Sequence, residues 1–318
     1  MKVLITRKIP SVAEELLTKH GFDVTVYKKN KPISSSELIK LGKNSDGLLT
    51  LLSDKIDKSV IDKIPHLKII ANYAVGFNNI DVRYAKTKGI IVTNTPDILT
   101  DATADIAMGL ILACSRRFCE ADSFMREGKF NGWKPDLFLG PGLKNKTLGI
   151  IGAGRIGQAT ALRAKAFGMK IIYFSRSKKP DFENELGAKK VSLSKLMRTA
   201  DVISLHVPLT PDTYHLLDKE KLDLMKPEAI IVNTARGEVI DEKYLIKLLR
   251  KKKIFAAGFD VYEGEPVVNE SLFKLKNVVL LPHIGSATIE TRNKMAELAA
   301  KNIINVLKGK NPITPVNL

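Results

Sequence analysis

Short apolar runs alternate with stretches of helical spacing along almost the whole chain. In the first hundred residues, Val3–Thr6, Phe22–Tyr27, Gly47–Leu52, Leu67–Ala74 and Ile90–Thr93 predict strands. Ser11–His20, Ser35–Asn44, Lys58–Ile64 and Asp81–Lys88 predict helices between them. Gly21 and Gly89 follow two of these helices where a helix commonly closes with a glycine. A long helix, Thr100 to Arg117, carries an apolar face of Ala104, Ala107, Met108, Ile111 and Leu112. The stretch from Arg126 to Leu143, with Gly128, Gly132, Pro135, Gly140 and Pro141, predicts no regular element. The alternation then resumes with six strands: Leu148–Ile151, Lys170–Phe174, Asp201–Leu205, Ala229–Val232, Phe255–Phe259 and Val278–Leu281. A last helix spans Ile289 to Leu307. Strand–helix alternation of this kind predicts an α/β fold with parallel, doubly wound sheets covered by helices on both faces.

The most informative stretch is Leu148 to Gly157. An apolar strand breaks at Gly152, and a helical pattern begins at Ile156. Gly152, Gly154 and Gly157 fit G-x-G-x-x-G: one glycine for the tight turn, one for close backbone approach to a pyrophosphate, one for helix–strand packing. Free N–H groups at the helix start suit the phosphates. A dinucleotide cradle is therefore expected, with the second half of the chain as a Rossmann domain.

Composition narrows the setting. With 318 residues the chain has room for two cores, and 44% hydrophobic with 27% charged residues is usual for a globular protein. No apolar run approaches the ~20 residues of a membrane span, and Met1 to Thr6 is too short for a secretion signal. Cys114 and Cys119 fall in one helical stretch, where a spacing of five turns them apart. Free thiols and no signal point to the cytoplasm. The net charge of +17 is spread over the helices, and the densest run, Arg250 to Lys253, sits at a helix end. That distribution suits a field that gathers small anions rather than a nucleic-acid surface, and no nucleic-acid or membrane partner is expected.

The residues at the strand ends supply the chemistry. Ligands of open parallel sheets bind outside the carboxyl ends of the strands. There the sequence places Ser175, Arg176 and Ser177 after the second strand of this half and His206 after the third. Arg236 follows the fourth, Asp260 and Glu265 the fifth, and His283 the sixth. Reduction of a carbonyl by hydride needs a proton donor, and histidine suits neutral pH. A carboxylate beside a histidine orients it and favours its imidazolium. A planar arginine matches a substrate carboxylate in two hydrogen bonds. His283, Glu265 and Arg236 supply that set. No metal site is expected, because the five histidines lack ligand spacing. Val75 and Gly76 read either as an anion-binding nest after a strand or as an ordinary turn. Trp133 reads either as a core residue or as part of a functional segment.

The sequence resembles the D-isomer-specific 2-hydroxyacid dehydrogenases over its whole length. The matching segments are Ala74 to Asp81, Gly152 to Gly157, His206 to Thr210, Asn233 to Gly237, Gly258 to Tyr262, and Pro282 to Thr288. Within the family it is most similar to glyoxylate/hydroxypyruvate reductases, through Trp133 to Phe138 and Ser175 to Ser177. The resemblance implies Arg236, Glu265 and His283 as the catalytic trio. It implies a substrate site of Val75, Gly76, Arg236 and His283, with Trp133 reaching the site of a partner subunit. It implies cofactor contacts from Thr103, Gly152, Ala153, Gly154, Arg155, Ile156, Gly157, Ser175, Arg176, Ser177, Val207, Pro208, Thr213, Thr234, Ala235, Arg236, Asp260, His283 and Gly285.

The implied fold has two doubly wound domains with a cleft between them. Residues 1–98, completed by 287–318, form the substrate domain, and 99–286 the dinucleotide-binding Rossmann domain. Spacing alone would put the break near Lys144. The implied reaction is hydride transfer from NADPH or NADH to a small 2-oxo acid such as glyoxylate or hydroxypyruvate, giving the (D-)2-hydroxy acid. NADPH is expected to be preferred, because no acid stands at the end of the second strand to bind a ribose 2′-OH. A homodimer through the nucleotide domain is expected. The alternatives are a dehydrogenase for another acid, such as D-3-phosphoglycerate or D-lactate, and an NAD(H)-sensing protein like the related corepressors.

Overall fold

The computed structural model describes residues 1–316, so the last two residues of the expected segment 287–318 lie outside the described residues. The chain divides into two compact units, one of Met1–Leu99 with the chain from Ser286 onward, the other of Thr100–Gly285.

The first unit begins β1 (Lys2–Ile5), α1 (Val12–Lys19), β2 (Asp23–Val26), α2 (Ser35–Gly42), β3 (Gly47–Thr50), α3 (Lys58–Ile61), β4 (Ile69–Asn72), α4 (Val82–Thr87) and β5 (Ile91–Thr93). The five strands form one parallel sheet in the order β2-β1-β3-β4-β5. Side chains alternate across a strand, so each buried strand feeds two cores. Leu4, Leu48 and Ile70 face one layer with Leu38, Val60, Ile64 and Ala85. Val3, Ile5, Leu49, Ile69 and Ala71 face the other, with Ala13 and Leu17.

The second unit contains α5 (Thr100–Ser115), α6 (Phe118–Arg126), β6 (Thr147–Ile151), α7 (Arg155–Ala166), β7 (Lys170–Phe174), α8 (Pro180–Leu186), β8 (Lys189–Lys190), α9 (Leu193–Thr199), β9 (Val202–Leu205), α10 (Lys219–Leu222), β10 (Ile230–Asn233), α11 (Glu242–Arg250), β11 (Ala256–Phe259) and β12 (Val278–Leu280). The sheet is parallel throughout, in the order β12-β11-β10-β9-β6-β7-β8. Strand order reverses between β6 and β9, which is where a doubly wound sheet opens its crevice. The chain then returns to the first unit in α12 (Ile289–Leu307), whose Ala296, Ala299, Ala300 and Ile303 pack on the face formed by Val3, Leu49 and Ile69.

Two expectations need correction. The second sheet has seven strands rather than six, because the two-residue β8 pairs with β7 through Ile172–Lys189 and Tyr173–Lys190. Two exposed lysines carry no hydrophobic pattern to announce a strand. The helix expected to run to Arg117 stops at Ser115, and Arg117 takes a left-handed backbone with φ of 55° before α6 starts. Cys114 and Cys119 thus sit on different helices, the first buried and the second exposed, and both are free. No helix among the described residues is long and apolar enough to cross a membrane.

One glycine sets how closely a helix approaches the second sheet. A Cβ at Gly149 in β6 would lie 2.6 Å from Leu196 Cδ2 and 2.9 Å from Ala200 Cβ, both on the side of α9. Gly149→Ala should therefore destabilise the protein by about 1–3 kcal/mol, the usual cost of overfilling a close-packed core. Denaturant unfolding checks this, and a variant as stable as the parent would show that α9 yields freely.

Candidate active site

The cradle forms at the switch between β6 and β9. Gly152 has φ of 99°, and a Cβ there would lie 2.7 Å from the carbonyl of His206, at the end of β9. A Cβ at Gly157 would lie 2.2 Å from the carbonyl oxygen of Gly152, so only glycine lets α7 start this close to the turn. Gly154 differs: a Cβ there would meet nothing within 4 Å. It is the open side of the turn. Several other helices close their starts with side chains; Asp57, Asp218 and Asp241 accept first-turn N–H groups of α3, α10 and α11. Gly154 caps α7 without a side chain, so no cap side chain stands at the positive helix end, which suits an anion. Ala153 is buried, Arg155 is exposed and Ile156 half-buried.

The loop after β10 adds a second feature that suits a dinucleotide. The Thr234 hydroxyl, after β10, is buried with no hydrogen-bond partner. Buried polar atoms are normally paired, so an orphaned hydroxyl beside a phosphate-ready turn fits a bound dinucleotide. Val207, Pro208 and Thr213 lie in one loop, where the Thr213 hydroxyl donates to the Pro208 carbonyl over 2.6 Å. After β7, Arg176 and Ser177 are exposed and Ser175 is half-buried. Ser175 donates to the Ser177 carbonyl, and Lys190 of β8 donates to the Arg176 carbonyl at 3.2 Å.

The charged groups after β10, β11 and β12 converge. His283 Nδ1 lies 2.8 Å from Glu265 Oε2, while Glu265 Oε1 accepts the Tyr262 N–H over 2.9 Å. Burial alone would raise the Glu265 carboxyl, but the His283 hydrogen bond and charge, the Tyr262 N–H and the Arg236 charge hold it below the ordinary range. An ionised carboxylate only accepts, so Nδ1 carries the proton and Nε2 is the nitrogen left for chemistry. Arg236 is half-buried. Its Nη1 donates to the Ala235 carbonyl over 2.7 Å, and Asn233 fixes the loop by donating to the Arg236 carbonyl over 2.8 Å. Burial lowers the Arg236 pKa against the opposing charges of Glu265 and Glu238, and a guanidinium stays protonated regardless.

Asp260 does something else. It is buried, and its two oxygens accept the N–H groups of Ile284 and Gly285, each at 2.7 Å. Burial raises its pKa, opposed by those two bonds and by the charge of His283. The Gly285 carbonyl in turn accepts from Thr103 over 3.1 Å. His283, just before, has φ of 54°. A left-handed non-glycine residue costs about 1–3 kcal/mol, and these bonds hold it there. His206, the other histidine at a strand end, is a poor proton donor: burial drives its pKa down to about 3, and Nε2 sits 2.8 Å from the Ser204 hydroxyl. Glu263 pairs with His215 at 2.9 Å rather than with the trio. Among the described residues no His, Cys, Asp and Glu cluster could hold a metal.

In the first unit, Val75 and Gly76 lie half-buried after β4. Two buried polar residues there, Asp54 in the loop after β3 and Asn72 at the end of β4, and the half-buried Asn79 did not figure among the expected site residues. Asn79 donates to the Leu51 and Asp54 carbonyls, and Asn72 to the Gly76 carbonyl over 2.8 Å. The available signal was an asparagine closing the otherwise apolar run Ile69-Ile70-Ala71. Trp133 is 83% exposed, which rules out the core reading.

Known proteins share this architecture. The sequence model described as D-isomer specific 2-hydroxyacid dehydrogenase, NAD binding domain, matches residues 108–285. A glyoxylate reductase of Thermococcus litoralis is 53% identical over 99% of this chain and 96% of its own. A crystal structure of a Thermus thermophilus protein aligns with a TM-score of 0.95 at 44% identity, covering 100% of both chains. An NADPH-dependent glyoxylate/hydroxypyruvate reductase of Sinorhizobium meliloti, in complex with NADP and malonate, aligns with a TM-score of 0.88 at 33% identity, covering 99% of this chain and 96% of that one. With that model matched over residues 108–285 and a relative 53% identical over 99% of the chain, the chain belongs to the D-isomer specific 2-hydroxyacid dehydrogenase family.

Proposed function

We propose that this protein reduces a small 2-oxo acid, glyoxylate or hydroxypyruvate in the first instance, to the (D-)2-hydroxy acid with a nicotinamide dinucleotide. The observation that carries the reading is the His283–Glu265 pair beside Arg236, at strand ends next to the dinucleotide turn. The relatives named for glyoxylate reduction support it. The bound nicotinamide supplies the hydride. His283 gives a proton from Nε2 to the carbonyl oxygen, and Glu265 holds Nδ1 and balances the imidazolium. Arg236 is the carboxylate-binding group we assign in the second unit, and the N–H groups of Val75 and Gly76 are those we assign in the first. A panel of 2-oxo acids, including pyruvate and 3-phosphohydroxypyruvate, tested with NADPH and NADH, decides the substrate. No turnover of any member would sink the reading. His283→Ala should lower kcat by about 10²–10⁴ with cofactor binding little changed. Near-parent turnover would remove His283 from the proton step.

NADPH is the proposed preferred cofactor. Phe174 closes β7, and the next residues are Ser175, Arg176 and Ser177, with Lys190 of the neighbouring strand on the same loop. A ribose 2′-phosphate would find a guanidinium and hydroxyls there and no carboxylate to repel it. A charged hydrogen bond contributes ~1.5–3 kcal/mol, so Arg176 accounts for a preference of about tenfold or somewhat more at this exposed position. In Arg176→Asp the kcat/KM ratio of NADPH to NADH should collapse, mainly through the NADPH KM. An unchanged ratio would show that Arg176 does not read the phosphate.

A cytoplasmic homodimer built on the second unit completes the proposal. No residue of α6 is buried, and Phe118, Met125, Phe130, Trp133 and Leu139 are all more than half exposed. Beside them a cleft of ≈ 610 Å³ opens at the amino ends of β11 and β12, lined by Arg117, Cys119, Phe255, Lys276 and Val279 among others. A monomer rarely leaves so many large apolar groups together in water. Sedimentation velocity should give a dimer, with Trp133 placed to reach the partner. A fully active monomer would refute this.

A further inference from the structure

The loop after β4 is held by its carbonyls. The Ala74 carbonyl accepts the Thr95 N–H over 2.9 Å, the Val75 carbonyl accepts from Asn94 Nδ2 over 2.8 Å, and the Gly76 carbonyl accepts from Asn72 Nδ2 over 2.8 Å. In a trans peptide the C=O of one residue and the N–H of the next point in opposite directions. Three pinned carbonyls therefore turn away the N–H groups of Val75, Gly76 and Phe77. None of the three donates to an acceptor among the described residues, and all three residues are half-buried. Successive N–H groups held this way form an anion-binding concavity.

The carbonyl clamps differ in how they are built. Thr95 acts through its backbone, but Asn72 acts through a side chain that is itself fixed. It is fully buried at the end of β4. Its Oδ1 accepts the Thr50 hydroxyl over 3.1 Å, and its Nδ2 also reaches Asn79 Oδ1 at 3.3 Å. Thr50 and Asn72 are register partners on β3 and β4. A carbonyl can only accept, so the Gly76 bond also settles which end of the Asn72 amide faces the loop. Asn79 is tied in turn to the Leu51 and Asp54 carbonyls, and Asp54 accepts from Thr6 and Leu51. The chain runs from the ends of β1 and β3 to one carbonyl in the loop.

We infer that Asn72 is a positioning residue for substrate affinity: by holding the Gly76 carbonyl it aims the Phe77 N–H, a third donor beside those of Val75 and Gly76, at the substrate carboxylate. The inference rests on the proposed role of Val75 and Gly76. Asn72 touches no reacting atom, so it should act on how tightly the acid is bound and not on the chemical step.

The test uses the full chain with Asn72→Asp, which keeps the shape but replaces the donor by an acceptor facing a carbonyl. Thr50→Val, which frees the Asn72 amide to turn, is the milder partner variant. Loss of one buried hydrogen bond with an unpaired carbonyl left behind predicts a rise in the glyoxylate KM of about tenfold or more for Asn72→Asp and a few-fold rise for Thr50→Val. Values of kcat and of the NADPH KM should stay near the parent's. Oxalate binding, measured by calorimetry on each protein, should weaken in parallel with the KM. An unchanged glyoxylate KM and oxalate affinity in a folded variant would overturn the inference. So would equal losses in kcat, NADPH affinity and melting temperature, which mark a merely structural residue. If Asn72→Asp does not fold, Thr50→Val decides alone. If the parent reduces no 2-oxo acid, the reductase reading fails, and the oxalate comparison still decides whether Asn72 sets the anion site.

Discussion

A single buried carboxylate decides where the proposed proton donor stands. Asp260 holds two consecutive N–H groups, those of Ile284 and Gly285, and thereby forces the preceding residue, His283, into a left-handed backbone that histidine does not favour. Without that anchor the turn would relax, and Nδ1 would leave Glu265. Charge and geometry are linked here. Asp260 is kept in place by hydrogen bonds that also offset the cost of its burial, and Glu265 stays ionised because His283 and Arg236 oppose the burial that would neutralise it.

The same logic separates two histidines that sequence alone leaves similar. Both follow parallel strands. His206 has a hydroxyl neighbour and loses its proton to burial, whereas His283 has a carboxylate at 2.8 Å. Proximity to a strand end is common to both, and the partner on the ring makes the difference.

Much of the fold was legible because parallel strands buried on both faces read as near-continuous apolar runs, and all end on one edge of the sheet. That is why Arg236, Glu265 and His283 could be linked across sequence gaps. Departures arose where burial gives no pattern. Lys189 and Lys190 form a strand without an apolar residue, and α6 leaves Phe118 and Met125 more than half exposed. Arg117 breaks a helix without a glycine or proline to mark it. Asn72 was passed over for another reason. Its role depends on which carbonyl it meets across the loop, and no spacing rule encodes that.

Placing α12 after the second unit affects how the protein is made. Its alanines and Ile303 cover one face of the first sheet, against Val3, Leu49 and Ile69. The ribosome has therefore released the whole sheet, and all of the second unit, before that face can close. During synthesis the second unit can complete its core first, while the first waits with an uncovered apolar layer that chaperones would recognise. Closure links residues nearly three hundred positions apart, and contacts so distant slow folding. The apparent first domain of the sequence is thus the last to mature.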